Sequence, residues 1–178
     1  MLAQEDSGGQ AASLAELKAY LRMGGSDDDA LLSALLRGAA ALCEQFLGQW
    51  LIARDARETV PASSVWTRLT ARPVEAIDRI EAIDAQGTAV EMATGAYAID
   101  IDAAGDGWVR VIDANGAAMV RVHYRAGMAG ELNGLPEAIR QGIVRLAAEQ
   151  HAGRTGDNVA PPAAVTALWR PWRRMRIA

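Results

Sequence analysis

One cysteine, one phenylalanine and two histidines are all that this chain of 178 residues offers of those types. The lone thiol, Cys43, rules out an internal disulfide and fits a reducing compartment. So few imidazoles and thiols leave the usual zinc, cysteine and triad arrangements short of members. No apolar run approaches the roughly 20 residues that cross a bilayer. The opening MLAQEDSGGQAAS has neither a basic start nor an apolar stretch, so it does not read as a secretory signal. Residues 1–12 read instead as a short disordered leader. There is no G-x-x-x-x-G-K-S/T loop and no nucleophile elbow. The expectation is a protein that is not an enzyme, with no cofactor and no metal.

What the chain does have is an uneven charge. Its formal charge is -4, from 18 basic and 22 acidic residues. Four arginines and no acid fall in residues 160–178, which leaves 14 basic and 22 acidic residues, net -8, ahead of them. An acidic body with a basic end is the asymmetry of an interaction tail.

Hydrophobic periodicity sets out the elements. Ser13 and Glu16 form an S-x-x-E capping box, and Leu14, Leu17 and Leu21 make one stripe of a short helix that Gly24 and Gly25 stop. In SDDDALLSALLRGAAALCEQFLGQWL, Ser26 or Asp27 caps a long helix. Its broad apolar face takes in Leu31, Leu32, Leu35, Leu36, Ala39, Leu42, Cys43, Phe46 and Leu47, with Gly48 as C-cap. From about residue 50 to 126 the period becomes two. Strands are expected at 64–70, on both sides of a Gln86-Gly87 turn, through Tyr97, Ile99 and Ile101, in WVRVID, and in MVRVHYRAG after an Asn115-Gly116 turn. Val120, Val122 and Tyr124 share one face of the last strand, and Arg121, His123 and Arg125 the other. Pro136 starts a helix whose buried stripe is Ile139, Ile143 and Leu146. The expected class is α+β: an N-terminal helical pair and a C-terminal helix packed with a small antiparallel β-sheet of meander type, plus an extended C-terminal tail. One connector domain is expected over 13–153, with a linker and basic tail over 154–178.

Three polar clusters invite chemistry and have plainer explanations. Asp27, Asp28 and Asp29 sit where the helix dipole favours anions, and consecutive aspartates cannot all face one ion. Asp100, Asp102 and Asp106 lack the spacing of a calcium loop and suit a hairpin turn. His123 and His151 read as boundary residues, and Cys43 as a small hydrophobe whose burial would raise its pKa.

That leaves the tail, ALWRPWRRMRIA. Three readings are open. Trp169 and Trp172 complete the chain's own core; or they stack on nucleic acid while the arginines meet phosphates; or they anchor in a protein groove. Four arginines give a salt slope of only about -3.6, and an acidic body opposes approach to a polyanion. Two buried tryptophans would each contribute about 2 kcal/mol or more. One charged turn with Pro171 inside it makes a poor amphipathic helix, so no membrane partner is expected. The protein groove is favoured.

The order of the motifs adds a resemblance. Leu14, Lys18, Leu21 and Arg22, then Asp27 to Asp29, then an alanine-rich helix ending at Gly48 and Leu51, occupy the places of an N-terminal signature. Tyr124 to Gly127 and Pro136, Ile139 and Ile143 follow in order. Over residues 14–152 this resembles the head–tail connector, or adaptor, proteins of long-tailed phages, and is most similar to adaptors of gene transfer agents. A Met-Gly-Gly stretch departs from the family's polar residues before the acidic cluster. The resemblance implies a structural subunit of a homo-oligomeric ring, a dodecamer, below the portal protein of a phage or phage-like particle. The ring, assembled in the host cytoplasm, would extend the DNA channel at the head–tail interface and hold a stopper or tail-terminator protein. DNA would pass without specific binding. The tail residues Trp169, Arg170, Trp172, Arg173, Arg174, Met175 and Arg176 would reach the portal. A basic-tailed nucleic-acid-binding accessory protein is the alternative.

Overall fold

The computed structural model describes residues 2–4, 12–153 and 161–174. The fold is α+β, as expected, and the chain divides into two compact units. A sheet unit takes in residues 1–8 and 53–128, and a helical unit residues 9–52 and 129–178. The sequence reading drew both as one connector domain.

In the sheet unit, β1 (Leu2–Gln4), β2 (Arg54–Pro61), β4 (Val74–Ile83), β5 (Ala89–Glu91) and β8 (Met119–Ala126) form an antiparallel sheet in the order β1-β2-β8-β4-β5. A second sheet has the order β3-β7-β6, from Thr67–Arg68, Gly107–Val111 and Tyr97–Ile101. A meander would keep sequence neighbours adjacent. Here β8 crosses to the middle, paired along its backbone with β2 on one side and β4 on the other, and its face of Val120, Val122 and Tyr124 is fully buried. Residues 2–4 pair with β2, where a disordered leader was expected; residue 1 and residues 5–11 lie outside the described residues. The two sheets meet closely at Gly107, where an added Cβ would lie 2.7 Å from Val74 Cγ2.

Strand β2 was missed in the sequence because its inward face alternates Arg54, Ala56, Glu58 and Val60, all buried. A buried carboxylate must be satisfied locally. Glu58 accepts from Thr70 N–H at 2.8 Å, from the Thr70 hydroxyl at 2.5 Å and from the Tyr124 hydroxyl at 2.9 Å. The Tyr124 oxygen in turn accepts from Ala71 N–H at 3.1 Å. Burial raises the Tyr124 pKa further above its usual value, so the phenol stays a donor.

The outward face of the same strands carries Glu81, whose Oε2 lies 3.0 Å from His123 Nε2 and 3.5 Å from Arg121 Nη1; its Oε1 accepts from Arg79 Nε at 3.2 Å. The imidazole, the largest influence, is aided by Arg79 and holds the Glu81 carboxyl below the ordinary glutamate range against the opposing effect of burial. A depressed folded-state pKa contributes stability that is present above the unfolded value, about 4.3, and lost as pH falls through the folded one. Glu81→Gln is therefore expected to flatten the loss of stability below about pH 4.3. Denaturant midpoints measured across that window check this; an unchanged acid limb refutes it.

In the helical unit, α1 (Leu14–Leu21) begins with the expected capping box: Glu16 N–H donates to Ser13 Oγ at 3.2 Å, and Ser13 N–H to Glu16 Oε2 at 3.1 Å. It ends at Arg22, in the left-handed region at φ 58°, before the glycines expected to stop it. Arg22 N–H closes on Ala19 O, so the turn is satisfied without glycine. Helix α2 (Asp29–Leu47) takes Asp28 as its N-cap, one residue past the candidate caps, and that side chain makes no capping bond. Asp29 instead accepts from Lys18 Nζ at 2.7 Å, joining α2 to α1. Gly48 is the left-handed C-cap, at φ 67°. The buried stripe is narrower than expected: Leu32, Leu36, Ala39, Cys43 and Leu47 are inside, whereas Leu31 is 50% exposed. Burial drives the Cys43 thiol pKa up, leaving it an inert hydrophobe. Against the expectation that no apolar run approaches bilayer length, α2, among the described residues, is long and apolar enough to cross one by length and composition alone; its stripe packs on α3 (Glu137–Ala152). Ile139, Ile143 and Leu146 of α3 are buried as expected, and Pro136 is the N-cap, with the helix starting at Glu137.

Candidate functional site

The basic tail is the feature that sequence reasoning singled out, and the structure gives residues 161–174 a definite seat. AAVTALW is rich in good helix formers and follows Pro162, whose fixed φ suits a helix start. It forms α4 (Ala163–Trp169), opened by Thr166 N–H to Pro162 O at 2.9 Å. Pro171 cannot continue the α-helical ladder, and Arg170–Trp172 tightens into a 3-10 turn. The tail, read as extended, is thus helical at its start.

Val165 and Trp169 are four residues apart, lie on one face of α4, and are fully buried. Trp169 fills a notch in α3 left by Gly142, and its Nε1–H donates to Ile139 O at 3.3 Å. Its ring lies 5.8 Å from that of Phe46, tilted by 51°. Farther along, Gln49 Nε2–H donates to Trp172 O at 2.7 Å, Arg174 N–H donates to Leu47 O at 3.3 Å, and the Arg173 guanidinium sits 5.1 Å over the Phe46 ring. Gln49 is itself buried. The end of α2 and the middle of α3 therefore hold the tail by one indole, three hydrogen bonds and a cation over an aromatic face.

The seven residues assigned to docking separate accordingly. Trp169 is placed inside its own unit and presents no surface. Arg170, Trp172 and Arg173 are exposed, with Trp172 38% exposed, and Arg174 is half-buried. Met175 and Arg176, like the linker at 154–160, lie outside the described residues. Sequence reasoning missed the seat itself. Gly142 stands mid-helix in LPEAIRQGIVRL, where glycine is costly, and that was the available signal.

The other candidate clusters serve local structure. Asp102 Oδ1 accepts from Ala104 N–H and Asp106 N–H, both at 2.9 Å, and Oδ2 from Trp108 Nε1–H at 3.1 Å. Asp106 lies 3.5 Å from Arg72 Nη1 and 3.7 Å from Arg68 Nη1. Among the described residues no group of three or more metal-ligating side chains stands close enough to hold an ion.

No family profile matches the chain, and no curated protein matches it. Solved structures do. A chain from the neck of an empty gene transfer agent particle, computed with C6 symmetry, is 24% identical with a TM-score of 0.81. One from the virion of a native gene transfer agent particle is 28% identical (0.79), and one from the neck of a native particle, computed with C12 symmetry, is 26% identical (0.78). Each match covers 100% of this chain and 97% of the other. The likeness runs the whole length and includes the tail. The resemblance to connector proteins read from the motifs is matched by the fold: over its full length the chain is similar to structural chains of gene transfer agent necks and virions.

Proposed function

We propose that the chain is a head–tail adaptor subunit: it forms a ring in the neck of a phage-like particle, sits below a portal protein, and extends the DNA channel toward a stopper or tail-terminator protein. The observation that carries this reading is the full-length likeness to chains of necks with sixfold and twelvefold symmetry, in a protein whose seated tail exposes Arg170, Trp172 and Arg173. A body of net -8 ahead of the tail suits a channel wall, since repulsion lets a polyanion slide without sticking.

The docking contact is assigned to Arg170, Trp172 and Arg173, together with Arg174, Met175 and Arg176. Trp169 acts through them, by fixing the tail on α3. Because Trp169 and Val165 complete a core, deleting residues 163–178 would unfold part of the helical unit and would not test docking cleanly. The test is the exposed triple variant Arg170→Glu, Trp172→Ala and Arg173→Glu, mixed with portal rings and sedimented. Attachment is expected to weaken by about thirtyfold or more. Unchanged co-sedimentation overturns the assignment. With one indole exposed on the described tail, the nucleic-acid alternative loses half its stacking surface. It would need DNA retention at physiological salt with a slope of several units.

A further inference from the structure

The outer face of the β3-β7-β6 sheet holds a second cluster of tryptophan and arginine. Cross-strand pairs share a face, so Arg68 stands beside Trp108, which stands beside Asp100. One step along, Trp66 precedes β3 and meets Arg110, whose guanidinium lies 4.9 Å over the indole. The result is a two-by-two checkerboard of indole and guanidinium. Trp66 is 39% exposed, and Val65 and Ile112, next to it in the chain and just past β7, are 71% and 61% exposed. None of these side chains is needed for the buried face of the sheet, which Val109 and Val111 supply. Tryptophan and arginine are the residues most enriched where protein contacts concentrate their energy, and an exposed apolar patch with charges among it marks an interface.

We propose that this face is the contact through which one copy of the chain receives the next. The proposal rests on the ring reading above. Two arguments select a second copy. First, the similar chains come from necks of sixfold and twelvefold symmetry, which one repeated contact between unlike patches of the same chain builds. Such a contact is head-to-tail, and head-to-tail contacts close into rings. Second, the body of a neighbouring copy is acidic, with 14 basic against 22 acidic residues. On it, the start of α2 supplies the matching chemistry: Asp27 and Asp28 are exposed beside exposed Leu31. Two carboxylates face two guanidiniums, and a leucine meets the indoles.

Sedimentation velocity across a concentration series tests this, with circular dichroism confirming that each variant folds. Wild-type protein is expected to associate into a closed species. Trp66→Ala with Arg110→Glu should weaken association by about thirtyfold or more, and Asp27→Arg with Asp28→Arg should do likewise. Arg68→Glu combined with Arg110→Glu, mixed with the Asp27→Arg, Asp28→Arg protein, should recover mixed species that neither forms alone. Wild-type rings that survive Trp66→Ala with Arg110→Glu overturn this inference and leave the adaptor reading standing. A wild-type chain that stays monomeric at every concentration and also when portal rings are added overturns both. Loss of association without recovery in the charge-reversed mixture overturns the pairing with α2. Retention of an oligothymidylate that depends on Trp66 and Arg110, with association unchanged, reassigns the face to nucleic acid and overturns the proposal.

Discussion

Gly142→Ala is expected to destabilise the helical unit by about 3 kcal/mol, although alanine is the better helix former. The added Cβ would lie 2.2 Å from Trp169 Nε1, 2.8 Å from Cε2 and 2.9 Å from Cδ1. Such contacts are far inside van der Waals range, and the indole is rigid, so the ring must leave its notch or α3 must shift. Trp169→Ala alone should cost about 3–5 kcal/mol, the usual range for a buried aromatic side chain. The two changes are not additive. Once the indole is gone, Gly142→Ala has nothing to strike and should be neutral or stabilising by up to about 1 kcal/mol. Urea unfolding of the two single variants and the double variant reads this reversal of sign. A second readout is local: trypsin should cut after Arg173 and Arg174 faster in Gly142→Ala, because the tail leaves its seat. If Gly142→Ala costs the same in both backgrounds, the notch does not hold the tail.

The second large effect is expected at Glu58. Replacing it by alanine strands the Thr70 amide, the Thr70 hydroxyl and the Tyr124 hydroxyl, all bonded to its carboxylate. A buried partner removed from such a network costs about 3–5 kcal/mol. Glu58→Gln keeps the shape and one acceptor oxygen, and should cost about 1–2 kcal/mol. Tyr124→Phe removes one bond to the carboxylate and one acceptor for Ala71 N–H, and belongs in the same lower range. The ordering, with Glu58→Ala well above the other two, is the informative result in thermal unfolding. Equal costs for all three would mean that packing, not hydrogen bonding, dominates there.

These two sites also show how much could be seen in the sequence. Elements whose pattern is set by local chemistry were legible: the capping box at Ser13, the left-handed Gly48, the buried alternation of Val120, Val122 and Tyr124, and the stripe of α3. Elements whose pattern depends on distant partners were not. Strand β2 hides because Arg54 and Glu58 face inward, and Glu58 is tolerated only because Thr70 and Tyr124 complete it. The left-handed stop at Arg22 hides behind the more obvious glycines two residues later. In the tail, the arginines and Pro171 suggested an extended hook. The residue that decides otherwise is Gly142, 27 positions upstream, and nothing local to the tail announces it. The resemblance pointed to a particle neck, and the chain is similar in fold to chains of such necks. It did not indicate which of the two tail tryptophans would face inward.

The division of the chain has a consequence for synthesis. The sheet unit is nearly contiguous along the sequence, whereas the helical unit is split, with α1 and α2 before it and α3 and α4 after. On a ribosome, the apolar stripe of Leu32, Leu36, Ala39, Cys43 and Leu47 emerges early and must wait for α3, about ninety residues later, and finally for Trp169. At about 5–20 residues per second that is an interval of several seconds. During it, nascent chains on neighbouring ribosomes present the same sticky helix to one another, and a holdase chaperone would find its substrate there.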